Sequence, residues 1–170
     1  MAIFSKLVTA RTWPIIAIVF SASILAVVHA SERFGGLPPC PLCLRQREIY
    51  WALIAMIATG LVLRRIKPTR RFLTALNIMI GLVFVTGAII AGYHAGVEWD
   101  IFPPPTGCST GPGVDPLQMT DLNQSFDMPA CTEAPFYFIG LSMAGWNMAV
   151  SAFMAILSFV AAGRLKPHAL

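Results

Sequence analysis

The sequence predicts an all-α membrane protein, a four-transmembrane-helix bundle forming one integral membrane domain, with two short cysteine-bearing loops at one end. Three observations carry this prediction. Apolar residues fill 56% of the 170 positions and charged residues only 12%, against roughly 45–50% and ~25% in soluble domains. A chain so poor in charge cannot cover a water-facing surface in the usual way. Four long stretches then lack any Asp, Glu, Lys or Arg: Trp13–Ser31, Ile49–Leu63, Phe72–Val97 and Ala134–Gly163. Finally, basic residues gather at one set of span ends and acidic residues at the other. Disorder is excluded, because it needs low hydrophobicity and high charge. The 13 Gly and 13 Pro show no collagen-like period.

The first span is read over 13–31. Lys6 and Arg11 precede it and Val28-His29-Ala30 lies near its end, a pattern that resembles a signal peptide with its cleavage site. A signal h-region is about 7–15 residues, however, and this run is longer, so it is expected to be a retained span. The second run is short, and it reaches spanning length only if Leu44–Glu48 forms a first turn at the interface, giving 44–63. The third and fourth spans, over 72–95 and 136–162, each meet the ~20 residues a bilayer requires. The loops fall at 32–43 and 98–135. Within the longer one, Glu98–Glu133 carries six prolines and no sustained period, so no soluble domain is expected there. Trp13, Trp51 and Trp99 fit interfacial aromatics, and Gly92-x-x-x-Gly96 fits close helix packing.

Charge orients the bundle. Lys6, Arg11, Arg64, Arg65, Lys67, Arg70, Arg71, Arg164 and Lys166 share one side, against Arg33, Arg45 and Arg47 on the other. The positive-inside rule makes the first side cytoplasmic, with both termini inside. All eight acidic residues (Glu32, Glu48, Glu98, Asp100, Asp115, Asp121, Asp127 and Glu133) fall on the opposite side. The net charge of +4 is thus the sum of two oppositely charged faces, which argues against nucleic-acid binding.

Free cysteine is among the most readily buried residue types, yet none of the four lies deep in an apolar run. Cys40 and Cys43 sit in the first outer loop, Cys108 and Cys131 in the second. An even count on one side points to oxidising-compartment chemistry. Three pairings are open, and proximity favours Cys40–Cys43 with Cys108–Cys131. A bridge within Cys40-Pro41-Leu42-Cys43 closes so short a loop that it restrains the unfolded chain little. A reversible dithiol suits it better, since the second thiol is always in reach of a mixed disulfide. A zinc ribbon would want a second close pair, and Leu44 stands where c-type haem attachment needs His. Redox, structural-bridge and metal readings stay open in that order, and no metal is expected.

Pro38 and Pro39 force an extended approach, and Pro41 suits a first helical position. Cys43 would then lie in the first helical turn, where backbone N–H groups favour an anion. Arg47, four residues on, shares its face. Both features favour a Cys43 thiolate, the reactive form. Arg45 reads as an interfacial anchor.

Pro39-Cys40-Pro41-Leu42-Cys43-Leu44-Arg45-Gln46-Arg47 resembles the C-x-x-C-x-x-x-R signature of the bacterial DsbB family. The likeness continues through Gly92-Tyr93-His94, the second cysteine pair and Gly140-Leu141-Ser142-Met143-Ala144-Gly145-Trp146, and so covers nearly the whole chain. The resemblance implies a bacterial inner-membrane oxidoreductase with periplasmic loops. It would reoxidise a periplasmic DsbA-like thiol oxidase and pass the electrons to a non-covalently bound quinone, ubiquinone or menaquinone. The DsbA–DsbB–quinone route is what keeps a bacterial periplasm oxidising; that link comes from the family and not from these residues.

Carried over by position, Cys108 would be attacked by the partner's thiolate. Cys131 would then attack Cys40, leaving Cys43 as the thiolate facing the quinone with Arg47 holding its charge. His94 would contact a quinone carbonyl, with an interfacial histidine as the plain alternative. Met143 would lie near the same pocket, or serve as core filler. One departure is Asp115–Asp127, which is poor in apolar residues where family members can carry a membrane-hugging helix. Two rivals remain: a small membrane adaptor with two structural disulfides, and a quinone reductase of the vitamin-K epoxide reductase type, whose C-x-x-C lies late in the chain.

Overall fold

The computed structural model describes residues 8–66, 69–108 and 129–164. Lys6, Lys67 and Lys166 of the charge argument, and the Asp115–Asp127 stretch, lie outside the described residues. Four helices dominate: α1 Trp13–Gly35, α2 Pro41–Ile66, α3 Arg70–Glu98 and α4 Met143–Gly163. Each is long and apolar enough to cross a membrane. A small antiparallel hairpin, β1 Tyr137–Phe138 with β2 Leu141–Ser142, precedes α4.

The first three helices overrun the uncharged stretches at their ends. α1 continues through Glu32 and Arg33 until Gly36, at φ 63°, turns the chain and donates its N–H to Ser31 O. α2 opens on Pro41 and keeps Arg45, Arg47 and Glu48 helical. α3 starts behind the Thr69 cap, whose hydroxyl accepts Phe72 N–H, and ends on Glu98. Charged side chains at a helix end hold their heads near water while the backbone goes on bonding internally. Counting uncharged residues therefore underestimates a span.

The fourth run behaves in the opposite way and corrects the expected span of 136–162. Ala134–Ser142 is not helical. Ile139 and Gly140 both take positive φ, 50° and 77°, which makes the two-residue turn favoured in tight hairpins. Ser142 then caps α4, its hydroxyl accepting Gly145 N–H at 3.1 Å. The helix begins only at Met143.

Leu53, Ile57, Ile80 and Phe84 fill the middle of the bundle. α3 and α4 pack most closely, through small residues: a Cβ on Gly81 would stand 2.7 Å from the Phe159 ring. Gly92 faces Met148 of α4, whereas Gly96 faces Phe102 of the following loop, so only the first of this pair serves helix contact. Trp13 is not an interfacial anchor. It is 2% exposed, and its indole N–H donates to Ser158 Oγ at 2.8 Å, because a buried indole needs an acceptor. Trp51 and Trp99 are about half exposed.

Arg64 donates to Arg11 O at 3.2 Å, joining α2 to the residues just before α1 at the basic end of the bundle. All four cysteines lie at the other end.

Candidate functional site

With Pro41 as the first helical residue, Cys40 stands immediately before α2, and its sulfur accepts the backbone N–H of Cys43 at 3.2 Å. A group in that position receives the exposed N–H groups and positive end of the helix. The two sulfurs lie 2.7 Å apart and share a hydrogen bond, and both cysteines are free thiols. The Cys43 hydrogen bond holds the Cys40 thiol well below its ordinary range. His94 and the Cys43 N–H add to this, against the cost of burial. The residue ahead of the first turn thus collects donors from the helix start.

The second pair is a disulfide, Cys108–Cys131, with Cα atoms 5.3 Å apart. The end of α3 brings it into place. Ile101 N–H donates to Gly96 O at 2.8 Å, Tyr93 Oη donates to Pro103 O at 2.9 Å, and the Tyr93 and Phe102 rings stack at 5.6 Å. The chain is thus folded back over α3, and Cys40, Leu42, Val97, Cys108 and Cys131 form one buried cluster with Cys43 and Tyr93 against it. Both cysteine pairs share one packed unit.

His94 is buried beside this cluster. Its Nε2 lies 3.6 Å from Cys40 Sγ and 3.7 Å from Glu98 Oε1. Its Nδ1 lies 2.7 Å from Gln46 Nε2. Gln46 Oε1 in turn accepts from Asn147 Nδ2 at 2.5 Å, and Asn147 Oδ1 accepts from Tyr50 Oη. Glu98, with its side chain 3% exposed, accepts from Ser142 Oγ. A continuous polar chain therefore runs from Tyr50 to Cys40 across α2, α3 and α4.

Arg45 and Arg47 part company. Arg45 pairs with Glu48 in the open, its side chain 70% exposed. Arg47 is 15% exposed and pairs with Glu32 of α1 at 2.6 Å. Arg47, Cys43, His94 and Met143 all line a cavity of about 550 Å³ between the four helices, whose remaining wall is largely apolar. Ligand pockets of ~300–1,000 Å³ with an apolar lining and a few polar groups are the usual kind.

Cys40 Sγ, Cys43 Sγ and a His94 ring nitrogen lie within 4.8 Å of one another, so a thiophilic ion has three candidate ligands. Two thiolates each ~2.3 Å from a tetrahedral zinc stand ~3.8 Å apart. The closer sulfur approach seen here suits a dithiol that forms a bond with itself.

Gln46, Tyr50, Glu98 and Asn147 were not singled out from the sequence. The available signal was polar residues inside membrane spans, which are costly unless paired or functional, and the i, i+4 spacing of Gln46 with Tyr50 and of His94 with Glu98.

The family model described as Disulfide bond formation protein DsbB matches residues 10–161. The chain is 31% identical over 166 residues to the disulfide bond formation protein B of Mannheimia succiniciproducens, covering 92% of this chain and 88% of the relative. It is 30% identical over 145 residues to that of Methylococcus capsulatus, covering 81% and 85%. It is also 25% identical over 138 residues to an uncharacterized protein of Rickettsia prowazekii, covering 79% and 77%. No solved structure matches the chain. The family match runs through both cysteine-bearing loops and reaches all four helices, so the chain belongs to the DsbB family, multi-pass inner-membrane proteins of disulfide bond formation.

Proposed function

We propose that this protein reoxidises a reduced periplasmic thiol oxidase of the DsbA type and passes the two electrons to a membrane quinone, ubiquinone or menaquinone. The observation that carries the reading is the packing of a dithiol and a disulfide into one cluster whose Cys43 borders an apolar cavity. The nine-to-three excess of basic residues at the other end supports a periplasmic cysteine end and cytoplasmic termini.

Thiol–disulfide exchange needs only sulfur attacking sulfur. The partner's thiolate attacks Cys108, a new intermolecular S–S bond forms, and Cys131 leaves as thiolate. The partner's second thiol resolves that bond, releasing oxidised partner and Cys108. The Cys108–Cys131 dithiol now holds two electrons. Cys131 attacks Cys40 of an oxidised Cys40–Cys43 pair, Cys43 leaves as thiolate, and Cys108 displaces Cys40 to restore its own disulfide. The electrons then rest on Cys40 and Cys43. Cys108 is 2% exposed, so the partner's attack requires its surroundings to open.

The cavity residues fit a quinone. Val27 and Val28 of α1 and Trp146 and Val150 of α4 offer an apolar channel, with Arg47 and Cys43 toward one end. Arg47 would hold the head group's oxygens, and His94 and Met143 would border it. A bound quinone supplies an acceptor for two electrons and two protons.

The test is quinone consumption by the full-length protein in lipid nanodiscs, supplied with a reduced DsbA-type oxidase. One quinone should disappear per partner disulfide formed. Partner oxidation without quinone loss, or neither reaction, overturns the proposal.

A further inference from the structure

We infer that Glu98 is the proton carrier of the apolar cavity: its carboxyl takes up a proton as the Cys40–Cys43 pair is reduced and gives it to the electron acceptor in the cavity. The inference deepens the proposed function and rests on it for the acceptor, a quinone.

Electrons that move by sulfur attacking sulfur arrive as thiolates, without protons. Reduction of a quinone to a quinol takes two electrons and two protons. The Cys40 and Cys43 sulfurs stand 2.7 Å apart and share a hydrogen bond, and a thiol bonded to a thiolate brings one proton. The second has to come from another acid on the cavity wall. The titratable or charged groups there are Cys43, Arg47 and Tyr50 of α2 and His94 and Glu98 of α3. A guanidinium does not give up its proton in a protein, and Arg47 is matched to Glu32. Tyr50 lies two helical turns beyond Cys43, with its hydroxyl engaged by Asn147. His94 presents its two ring nitrogens to Gln46 and Cys40. Glu98 remains as the acid.

Its placement supports this use. An ionisable side chain in a membrane span is costly and marks function by default. The Glu98 side chain is 3% exposed, and α3 has no basic residue in its last turn to pair with it. The Ser142 hydroxyl donates to Oε2, so Oε1 is the oxygen free to take a proton. Oε1 stands 3.7 Å from His94 Nε2, beyond hydrogen-bond length, and Cys40 Sγ lies 3.6 Å from the same nitrogen. Negative charge arriving on the sulfurs is therefore felt at the carboxyl, and like charges so close in a dry site do not both persist.

As Cys108 and Cys131 reform their S–S bond, they release two electrons and two protons. The electrons break the Cys40–Cys43 bond. One proton is shared by the Cys40 and Cys43 sulfurs, and the other settles on Glu98. When the Cys40–Cys43 bond forms again, two electrons pass to the acceptor. Its two oxygens receive the shared proton and the proton of Glu98, which returns to carboxylate.

Infrared difference spectra of the full-length protein in nanodiscs, reduced minus oxidised, test the uptake with no quinone present. A small dithiol that itself lacks a carboxyl does the reducing. A protonated-carboxyl C=O band that moves in D2O should appear on reduction and be missing in Glu98→Gln. Glutamine keeps an oxygen to accept the Ser142 hydroxyl, so a merely structural role would survive the change. With a short-chain ubiquinone added, pre-reduced Glu98→Gln should form quinol roughly a hundredfold more slowly, the low end for a positioned acid. Its apparent quinone KM should stay within about twofold of wild type, as for a group that acts in the chemical step and not in binding. Glu98→Asp, which keeps a carboxyl, should recover part of the rate. No band on reduction, a band that survives in Glu98→Gln, or a Gln variant as fast as the wild type overturns the inference. Should Glu98→Gln fail to fold, Ser142→Ala strips the hydrogen bond from Oε2 and must move the band; an unmoved band overturns it equally. A Glu98 band in a protein that reduces no quinone counts against the proposed acceptor and leaves the proton uptake standing. Quinone turnover without the band counts against this inference alone.

Discussion

Arg47 of α2 reaches Glu32 of α1 at 2.6 Å, so the charge that lies on the Cys43 face of the helix also joins two helices at the wall of the apolar cavity. Its influence on a bound head group would come from that wall. Arg47→Met should weaken quinone use by ~1–3 kcal/mol, the range for a charged hydrogen-bond partner in a partly desolvated site, or roughly a fivefold to hundredfold rise in apparent quinone KM. Arg45→Met is the control, because its pair with Glu48 is exposed and such pairs contribute ~0–1 kcal/mol. Steady-state quinone titrations of both variants decide the matter. Equal losses would mean that general charge, not the cavity, is at work.

Cys108→Ser should abolish oxidation of the partner while sparing quinone reduction by a small dithiol that exchanges directly with Cys40–Cys43. The motive is the division of the thiols into a disulfide and a free pair. Both activities are measured on the same preparation, and a parallel loss would contradict the division.

Cys40 should remain a thiolate at acid pH. Its pKa is lowered, so the anion persists as pH falls through the ordinary thiol range near ~8.5, where an unperturbed cysteine loses it at about tenfold per pH unit. Thiolate absorbance of the reduced protein between about pH 5 and 9 should change little for this residue. The signal should be absent from Cys40→Ser, and a titration centred near the ordinary value would refute the assignment.

Ser142→Ala removes two contacts at once, the cap of α4 and the donor to Glu98. Loss of a serine cap costs about 0.5–2 kcal/mol, and an underpaired buried carboxylate adds to it. Thermal unfolding in detergent should occur at distinctly lower temperature than for Ser23→Ala, whose exposed hydroxyl bonds only Val19 O of its own helix. Indistinguishable melting of the two variants would show that Ser142 does neither job.

The four spans were legible because apolar length and charge are read locally, and so were the two cysteine pairs. The start of α4 was not. Nothing charged marks the exit from the membrane between Ala134 and Ser142, and the hairpin depends on Ile139 adopting a left-handed φ, which a β-branched residue rarely does. Trp13 read as an interfacial anchor because its acceptor, Ser158, lies at the far end of the chain. Gln46 and Asn147 stayed hidden for the same reason: each is an ordinary polar residue until packing across helices makes it half of a hydrogen bond. Cys40 is the instructive case: its place ahead of Pro41 was readable, but its neighbour His94 comes from a helix 54 residues on.

The cavity between α1 and α4 has a practical consequence for enzymology. Its rim includes Val27 and Trp146, side chains that stand at least one-third exposed on the outer surface of the bundle. A ligand arriving there travels sideways within the lipid sheet rather than through water. The concentration that governs its binding is then mole fraction in the bilayer, and diffusion is confined to two dimensions. Adding lipid or detergent at fixed total ligand would dilute the reactant without changing its molarity. Apparent constants from preparations with different lipid-to-protein ratios become comparable only after conversion to that two-dimensional scale.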